Sequence, residues 1–526
     1  MISKLVLPTA AIAIASAIFL VPSVMAQNYG GTLKIGVDVD LKTANFAKTS
    51  GNSHAVYAPL VSEGLVNFDM KCNVVPALAT HWDISKDAKT FTFHIRKGVK
   101  FHNGRELTAA DVKKTISWHR KKKNRSKSRG RYKRGGVSSK RIKVLDRYTV
   151  QFKLKTPSVS LPVLFNSRKS QILAPESLTS KPPRPIGTGP FKFVEWKPRQ
   201  YTKMVRNEHY WRKDKNGKKL PYVDKLIIKP IIDGSTRYLA LKSGDIHWAN
   251  SIPLDKIPNI KKNPPKWMTP GIKAGSRWWW FQMQQKHKGP LRDKRVRMAI
   301  AHAFDKQAIM DGLTWGMASV ENQVFPPGTN WYFKNLPDPY KKANVKKAKA
   351  LLAEAGFAKG LTLNTIVRNR TEVLNFATLA QAQLKKVGIN LKLRVMDYGA
   401  HRKTTKKKKY DTNVGHYSFQ PDPHWRYQTQ FSTGARSNNP AYSNKEVDKL
   451  MKKAAGELDK KKRRAMYRKV VELINKDVVV LFFGHQPIAQ ASRKELKNFV
   501  TNCNGDTQWA YGGASNAWFV NPSKHK

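Results

Sequence analysis

The sequence predicts an α/β protein large enough for two or more packed lobes, on three observations: stretches of period-two alternation, stretches of helical spacing set between them, and a 40% apolar content over 526 residues. Alternation sends successive side chains to opposite faces of a strand, whereas a 3.6-residue period gathers apolar residues on one helix face. In chain order, "GGTLKIGVDVD" reads as a first strand, and "KTFTFHIRKGVKF" as another, with Phe91, Phe93, Ile95, Val99 and Phe101 at its apolar positions. The text then changes period in "HNGRELTAADVKKT": Asn103-Gly104 predicts a turn, and Thr108 with Asp111 predicts a helix N-cap and its N3 partner. Residues 296–313 and 344–357 carry helical spacing, the second stopping at Gly356. "TLAQAQLKKVGINLKLRVMD" reads as helix, Gly388 stop and strand, an α/β unit in itself. No fixed-period repeat interrupts the pattern.

The first 26 residues have the layout of a cleavable secretory signal: a cation at Lys4, an apolar run, then Val24-Met25-Ala26 ahead of polar "QNYGG". Cleavage is expected after Ala26, and residue 27 is Gln, so no lipid-bearing cysteine follows. No later segment approaches about eighteen uninterrupted apolar residues, so the mature chain is expected to be periplasmic or secreted. The two cysteines, Cys72 and Cys503, match no metal-binding spacing and either pair in an oxidising compartment or stay as separate buried thiols.

Formal net charge is +63, which makes nucleic acid and anionic surfaces the first partners to weigh. No zinc-knuckle, RRM or helix-turn-helix pattern accompanies the charge, so no specific nucleic-acid partner is expected. Catalytic signatures are equally absent: there is no G-x-S-x-G elbow, no H-E-x-x-H, no phosphate loop and no G-x-G-x-x-G. The 14 His residues show no metal-ligand spacing. The chain reads as a non-enzyme with no cofactor and no metal.

The stretch "FTFHIRKGVKFHNGRELTAADVKKT" closely resembles the hallmark of the family 5 extracellular solute-binding proteins, the peptide and nickel receptors of ABC importers. Similar stretches run in order along the chain, "VPALATHWDIS" before it and "PIGTGPFKFVEW", "NEHYW", "RYLALKSGDIHWA", "PLRDKRVRMAIAHAFDKQAI" and "AYSNKEVDKLM" after it. The resemblance implies a two-lobed periplasmic-binding-protein fold of type II with an extra subdomain in the first lobe. Its implied boundaries are a signal at 1–26, a first lobe over 27–275 with the extra subdomain near 70–185, and a second lobe over 276–486. Residues 487–526 would return to the first lobe, consistent with a Cys72–Cys503 bridge. It implies capture of a small solute, chiefly a di- or oligopeptide, by a monomer that delivers it to an ABC permease complex in the inner membrane. A non-peptide solute (a sugar, an opine or a metal chelate) on the same fold and a polyanion-binding surface protein are the alternatives.

A cleft that closes on a solute needs apolar and aromatic lining with a few placed polar groups. Two aromatic stretches supply candidates. In "RWWWFQM" a strand would put Trp278 and Trp280 on one face and Trp279 with Phe281 on the other, so Trp278 and Trp280 are candidate lining residues. In "HYSFQPDPHWRY" the candidates are His416, Tyr417, Phe419 and Asp422. The resemblance implies that dipeptide-binding members place a carboxylate for the peptide ammonium three residues before the Asp of this Asp-Pro pair. Phe419 stands there, which leaves Asp422 as the carboxylate at hand. Arg368 and Arg370 in "VRNR" lie where peptide receptors can hold a carboxylate-binding arginine, a task suited to the bidentate guanidinium.

Residues 119–136, "HRKKKNRSKSRGRYKRGG", hold ten Lys or Arg and no carboxylate. With Gly130, Gly135 and Gly136 they read as a solvated loop, and the runs at 406–409 and 460–464 as solvated faces. Non-specific polyanion adhesion that fades with salt is expected of such a surface.

Overall fold

The computed structural model describes residues 28–49, 52–166, 170–286, 289–418, 420–503, 507–509 and 512–526, with the side chains of Asn52 and Ser276 not described. The expected signal, and Phe419, lie outside the described residues.

A ten-stranded mixed sheet organises the molecule. Its order is Ile389–Met396, Leu361–Arg368, Thr412–Ser418, Met268–Met283, Val480–Arg493, Trp248–Ala249, Thr32–Val37, Lys225–Pro230, Tyr201–Arg206 and Phe191–Lys197. The two long central strands, of 16 and 14 residues, pair antiparallel and carry the sheet from one half of the molecule to the other. One half packs its apolar residues around Leu33, Ile35, Tyr57 and Phe191, joined by Ala514, Ala517 and Phe519 from the end of the chain. The other half buries Trp279, Phe281, Phe376 and Phe483 under the helices at Lys294–Ala303, Lys306–Thr314, Val345–Glu354 and Thr371–Lys385.

A separate four-stranded antiparallel sheet, Ala79–Ile84, Thr90–Ile95, Thr149–Lys153 and Ile142–Asp146, has its own core of Phe91, Phe93, Val99, Phe101 and Phe152, covered by the helix Ala109–Arg120. The sequence signals there hold residue by residue. Asp111 accepts the Thr108 backbone N–H at 2.9 Å and is gripped by Arg105 at 2.9 and 3.0 Å. At Gly187 an added Cβ would stand 2.2 Å from the Val61 carbonyl oxygen, and at Gly189 2.5 Å from the Val61 carbonyl carbon, so this turn lies flat on the segment 60–62 only because both residues lack a side chain.

Two expectations change. Residues 296–313 form two helices, because the Asp305 side chain accepts the Ala308 N–H at 2.9 Å and starts a new helix after the first has ended at Ala303. The stretch 119–136 does not stay a solvated loop: it contains the helix Arg129–Arg134, pinned by Tyr132, which is fully buried against His119 and Phe165. A single aromatic among ten cations is enough to dock it.

Cys72 and Cys503 are bonded, with Cα atoms 5.6 Å apart, tying positions 431 residues distant. Among the described residues no helix is long and apolar enough to cross a membrane.

Candidate functional site

A cavity of about 1070 Å³ opens beside the strand 412–418. Strand register builds its floor. Trp278 stands opposite Tyr417 and Trp280 opposite Gly415. A Cβ at Gly415 would come 3.2 Å from the Trp280 ring, so the glycine lets the indole lie across the strand and stack on Tyr417, with centroids 5.0 Å apart and planes at 27°. Trp280 is only 2% exposed, and its indole N–H has no hydrogen-bond partner among the described residues.

The walls are cationic. Lys127, Arg131 and Arg134 come from on and just before the helix 129–134. The rest are Arg368 at the end of its strand, Arg402 and Lys406 on the helix Tyr398–Lys407, Arg426 on the helix Pro423–Phe431, and Arg436 beyond it. No Asp or Glu is among the lining residues. Burial pulls the Arg426 guanidinium down to about 10, which leaves it a cation at neutral pH, lying over the Tyr417 ring at 5.4 Å. Arg134 and Arg368 are lowered by burial and then by like charge, from Arg436 and Arg370 respectively.

His416 also lines the cavity. Burial lowers it to about 4, so its imidazole is neutral at physiological pH. Glu372 lies 3.5 Å from His416 and 3.3 Å from Arg370, and the His416 contact, with Arg370 adding, outweighs burial and holds its carboxyl down to about 2.

Of the residues read from the sequence, Trp280, Arg368, His416 and Tyr417 meet at this cavity. Trp278 shares the face of Trp280, as alternation required, but packs on Phe482 at 5.2 Å and is not part of the wall. Arg370 is off the cavity and paired with Glu372.

Asp422 corrects the expectation of an ammonium partner. It caps the helix 423–431 through the His424 N–H at 2.9 Å and accepts two bonds of 2.8 Å from Arg463 and one of 2.7 Å from the Ser160 hydroxyl. Only 6% exposed, it is outside the lining, and its lone pairs are already used. Arg463, read as part of a solvated run, is therefore buried, while Lys406 is exposed, as its run was read, and also lines the cavity. Sequence reasoning missed the contribution of residues 127–134; the signal available was Tyr132, the one aromatic inside the basic run.

Elsewhere, His81, Asp83 and His94 bring ligand atoms within 4.8 Å of one another across paired strands of the four-stranded sheet, a proximity that sequence spacing alone hides.

Residues 73–439 match the family described as bacterial extracellular solute-binding proteins, family 5. The chain belongs to this family. Among its relatives, a di/tripeptide-binding protein of Pseudomonas aeruginosa is 30% identical over 485 residues, covering 86% of this chain and 88% of that one. A glutathione-binding protein of Pectobacterium atrosepticum is 27% identical over 452 residues, covering 83% and 85%. Among solved structures, the periplasmic binding protein DppA of Helicobacter pylori in complex with the peptide STSA superposes with a TM-score of 0.75 at 26% identity, covering 94% of this chain and 99% of that one. The fold of this solute-binding protein is the type II periplasmic-binding-protein fold, and the family consists of substrate-binding proteins rather than enzymes.

Proposed function

We propose that this solute-binding protein captures a di- or oligopeptide-class solute in the 1070 Å³ cavity and delivers it to an ABC permease in the inner membrane. The observation that carries the reading is the cavity itself, aromatic-floored and of a size that accepts a small ligand, lined by residues of the helix 129–134 together with residues from the region 368–439. The peptide-binding relatives support the solute class. In this reading residues 27–275 with 487–526 form one lobe and 276–486 the other, and Trp280, Arg368, His416 and Tyr417 contact the solute. The signal is removed after Ala26, and the receptor works as a monomer outside the inner membrane, with adhesion to polyanions as a salt-sensitive side effect of its charge.

The test is titration calorimetry of the mature protein with a set of tripeptides, alongside a Thr433→Trp variant that adds an indole to the exposed edge of the cavity. Saturable binding of at least one peptide, lost in the variant while its melting temperature is kept, is the expected result. Peptide heats that the variant leaves unchanged, or none at all, would overturn the reading.

A further inference from the structure

The cavity walls carry more information than its size. Arg134, Arg368, Arg402, Lys406, Arg426 and Arg436 all line it, and none of the six makes an ion pair among the described residues. They come from separate parts of the chain, one from the helix 129–134 and five from the region 368–436, so the charge is gathered by the fold rather than supplied by one basic run. Like charges held around one space repel, and Arg134, lowered first by burial, is lowered further by the like charge of Arg436. No carboxylate among the described residues lines the space to pair with a free peptide ammonium: Asp422 is spent on Arg463 and Ser160, and Glu372 on Arg370 and His416.

Guanidinium groups are matched to oxyanions, since their planar N–H forks accept carboxylate or phosphate oxygens in pairs. Trp280 and Tyr417 meanwhile offer a flat apolar surface beneath. We propose that the solute selected by this cavity is multiply anionic, with two or more carboxylate or phosphate groups pairing with cations drawn from Arg134, Arg368, Arg402, Lys406 and Arg436. The proposal rests on the cavity being the solute site, and it narrows the solute class to acidic peptides or other polyanionic small molecules. It also gives the basic stretch 119–136 a role at the site. A solute bound this way neutralises the repulsion between the walls, which makes binding and closure of the cleft favour each other.

The experiment uses the mature protein and three probes, triglutamate, trilysine and inorganic tripolyphosphate, titrated calorimetrically in 0.15 M and 0.5 M NaCl. Two double variants of equal charge change separate the cavity from surface adhesion: Arg134→Gln with Arg436→Gln, both exposed at the cavity, and Lys261→Gln with Lys262→Gln, both exposed at the end of a helix that does not line it. Binding of triglutamate or tripolyphosphate is expected at one site per chain. The arginine pair should weaken it at least tenfold, in line with the loss of two charge-assisted contacts, and the lysine pair less than twofold. Triglutamate binding without tripolyphosphate binding assigns the carboxylate class, and the reverse assigns the phosphate class.

Equal weakening by both double variants, or binding abolished by 0.5 M NaCl in wild type, would show adhesion to a cationic surface and overturn the proposal. So would trilysine binding as tight as triglutamate. If that trilysine binding disappears in Thr433→Trp, the receptor reading survives and only the anion preference falls; silence from every probe removes the anion preference, while the wider peptide set decides the receptor reading separately.

Discussion

Replacing Asp422 by Asn tests the packing that holds the cavity wall. The carboxylate takes four hydrogen bonds of 2.7 to 2.9 Å, two from Arg463, one from Ser160 and one from the His424 backbone, and the Asp422 and Arg463 side chains are 8% and 7% exposed. An amide keeps the shape but removes the charge, which leaves a buried guanidinium without a counter-ion at a cost of about 3–5 kcal/mol. Arg463 also lies 5.0 Å over Trp331 and 5.2 Å over Tyr467 and donates to the Ala454 carbonyl, contacts that survive and favour the lower end of that range. With an unfolding entropy of about 2.1 cal/mol/K per residue, a loss of ~3 kcal/mol lowers the Tm of a chain this long by roughly 3 °C. Differential scanning calorimetry at pH 7 reads it, and a D422N variant melting within 1 °C of wild type would refute the reasoning. The paired variant Asp422→Leu with Arg463→Met should recover at least half of the loss, because removing both charges together leaves neither one stranded. Acid supplies a second check. Burial alone would raise Asp422, but the charge and hydrogen bonds of Arg463 prevail and hold it below the ordinary 3.8. A carboxylate with a lowered folded pKa contributes stability that is complete above 3.8 and is lost as pH falls through the lowered value, so the stability gap between wild type and D422N should close below pH 4.

Reducing the Cys72–Cys503 bond, or replacing both cysteines by Ser, should cost about 2–5 kcal/mol through freedom regained by the unfolded chain, and dithiothreitol should lower the Tm of wild type but not of the double variant. Gly187→Ala, whose Cβ would meet the Val61 carbonyl oxygen at 2.2 Å, should destabilise by about 1–3 kcal/mol in urea titration; an unchanged midpoint would contradict the close approach. Solute affinity should not change between pH 6 and 8 on account of His416, which titrates at about 4, and a His416→Gln variant should keep the wild-type pH profile over that interval.

Local rules determined a good deal of this protein. The capping pair Thr108 and Asp111, the Gly388 stop before a strand, and the two faces of "RWWWFQM" all follow from spacings of one to four residues, and each stands in the structure as read. Trp280, Arg368, His416 and Tyr417 were named from the sequence as candidates, but the stacking of Trp280 on Tyr417 came from the pairing of two strands distant in sequence. Charge runs were where the reading failed. A run of Lys and Arg reads as one solvated object, but burial acts on single side chains. Tyr132 docks the helix 129–134, two of whose cations, Arg131 and Arg134, line the cavity; Arg463, four residues before the buried Tyr467, faces inward to meet Asp422 and Ser160. Ser160 lies 303 residues from Arg463. Only the tertiary fold brings that hydroxyl, that carboxylate and that guanidinium into one dry place, where the low dielectric makes each of them depend on the other two.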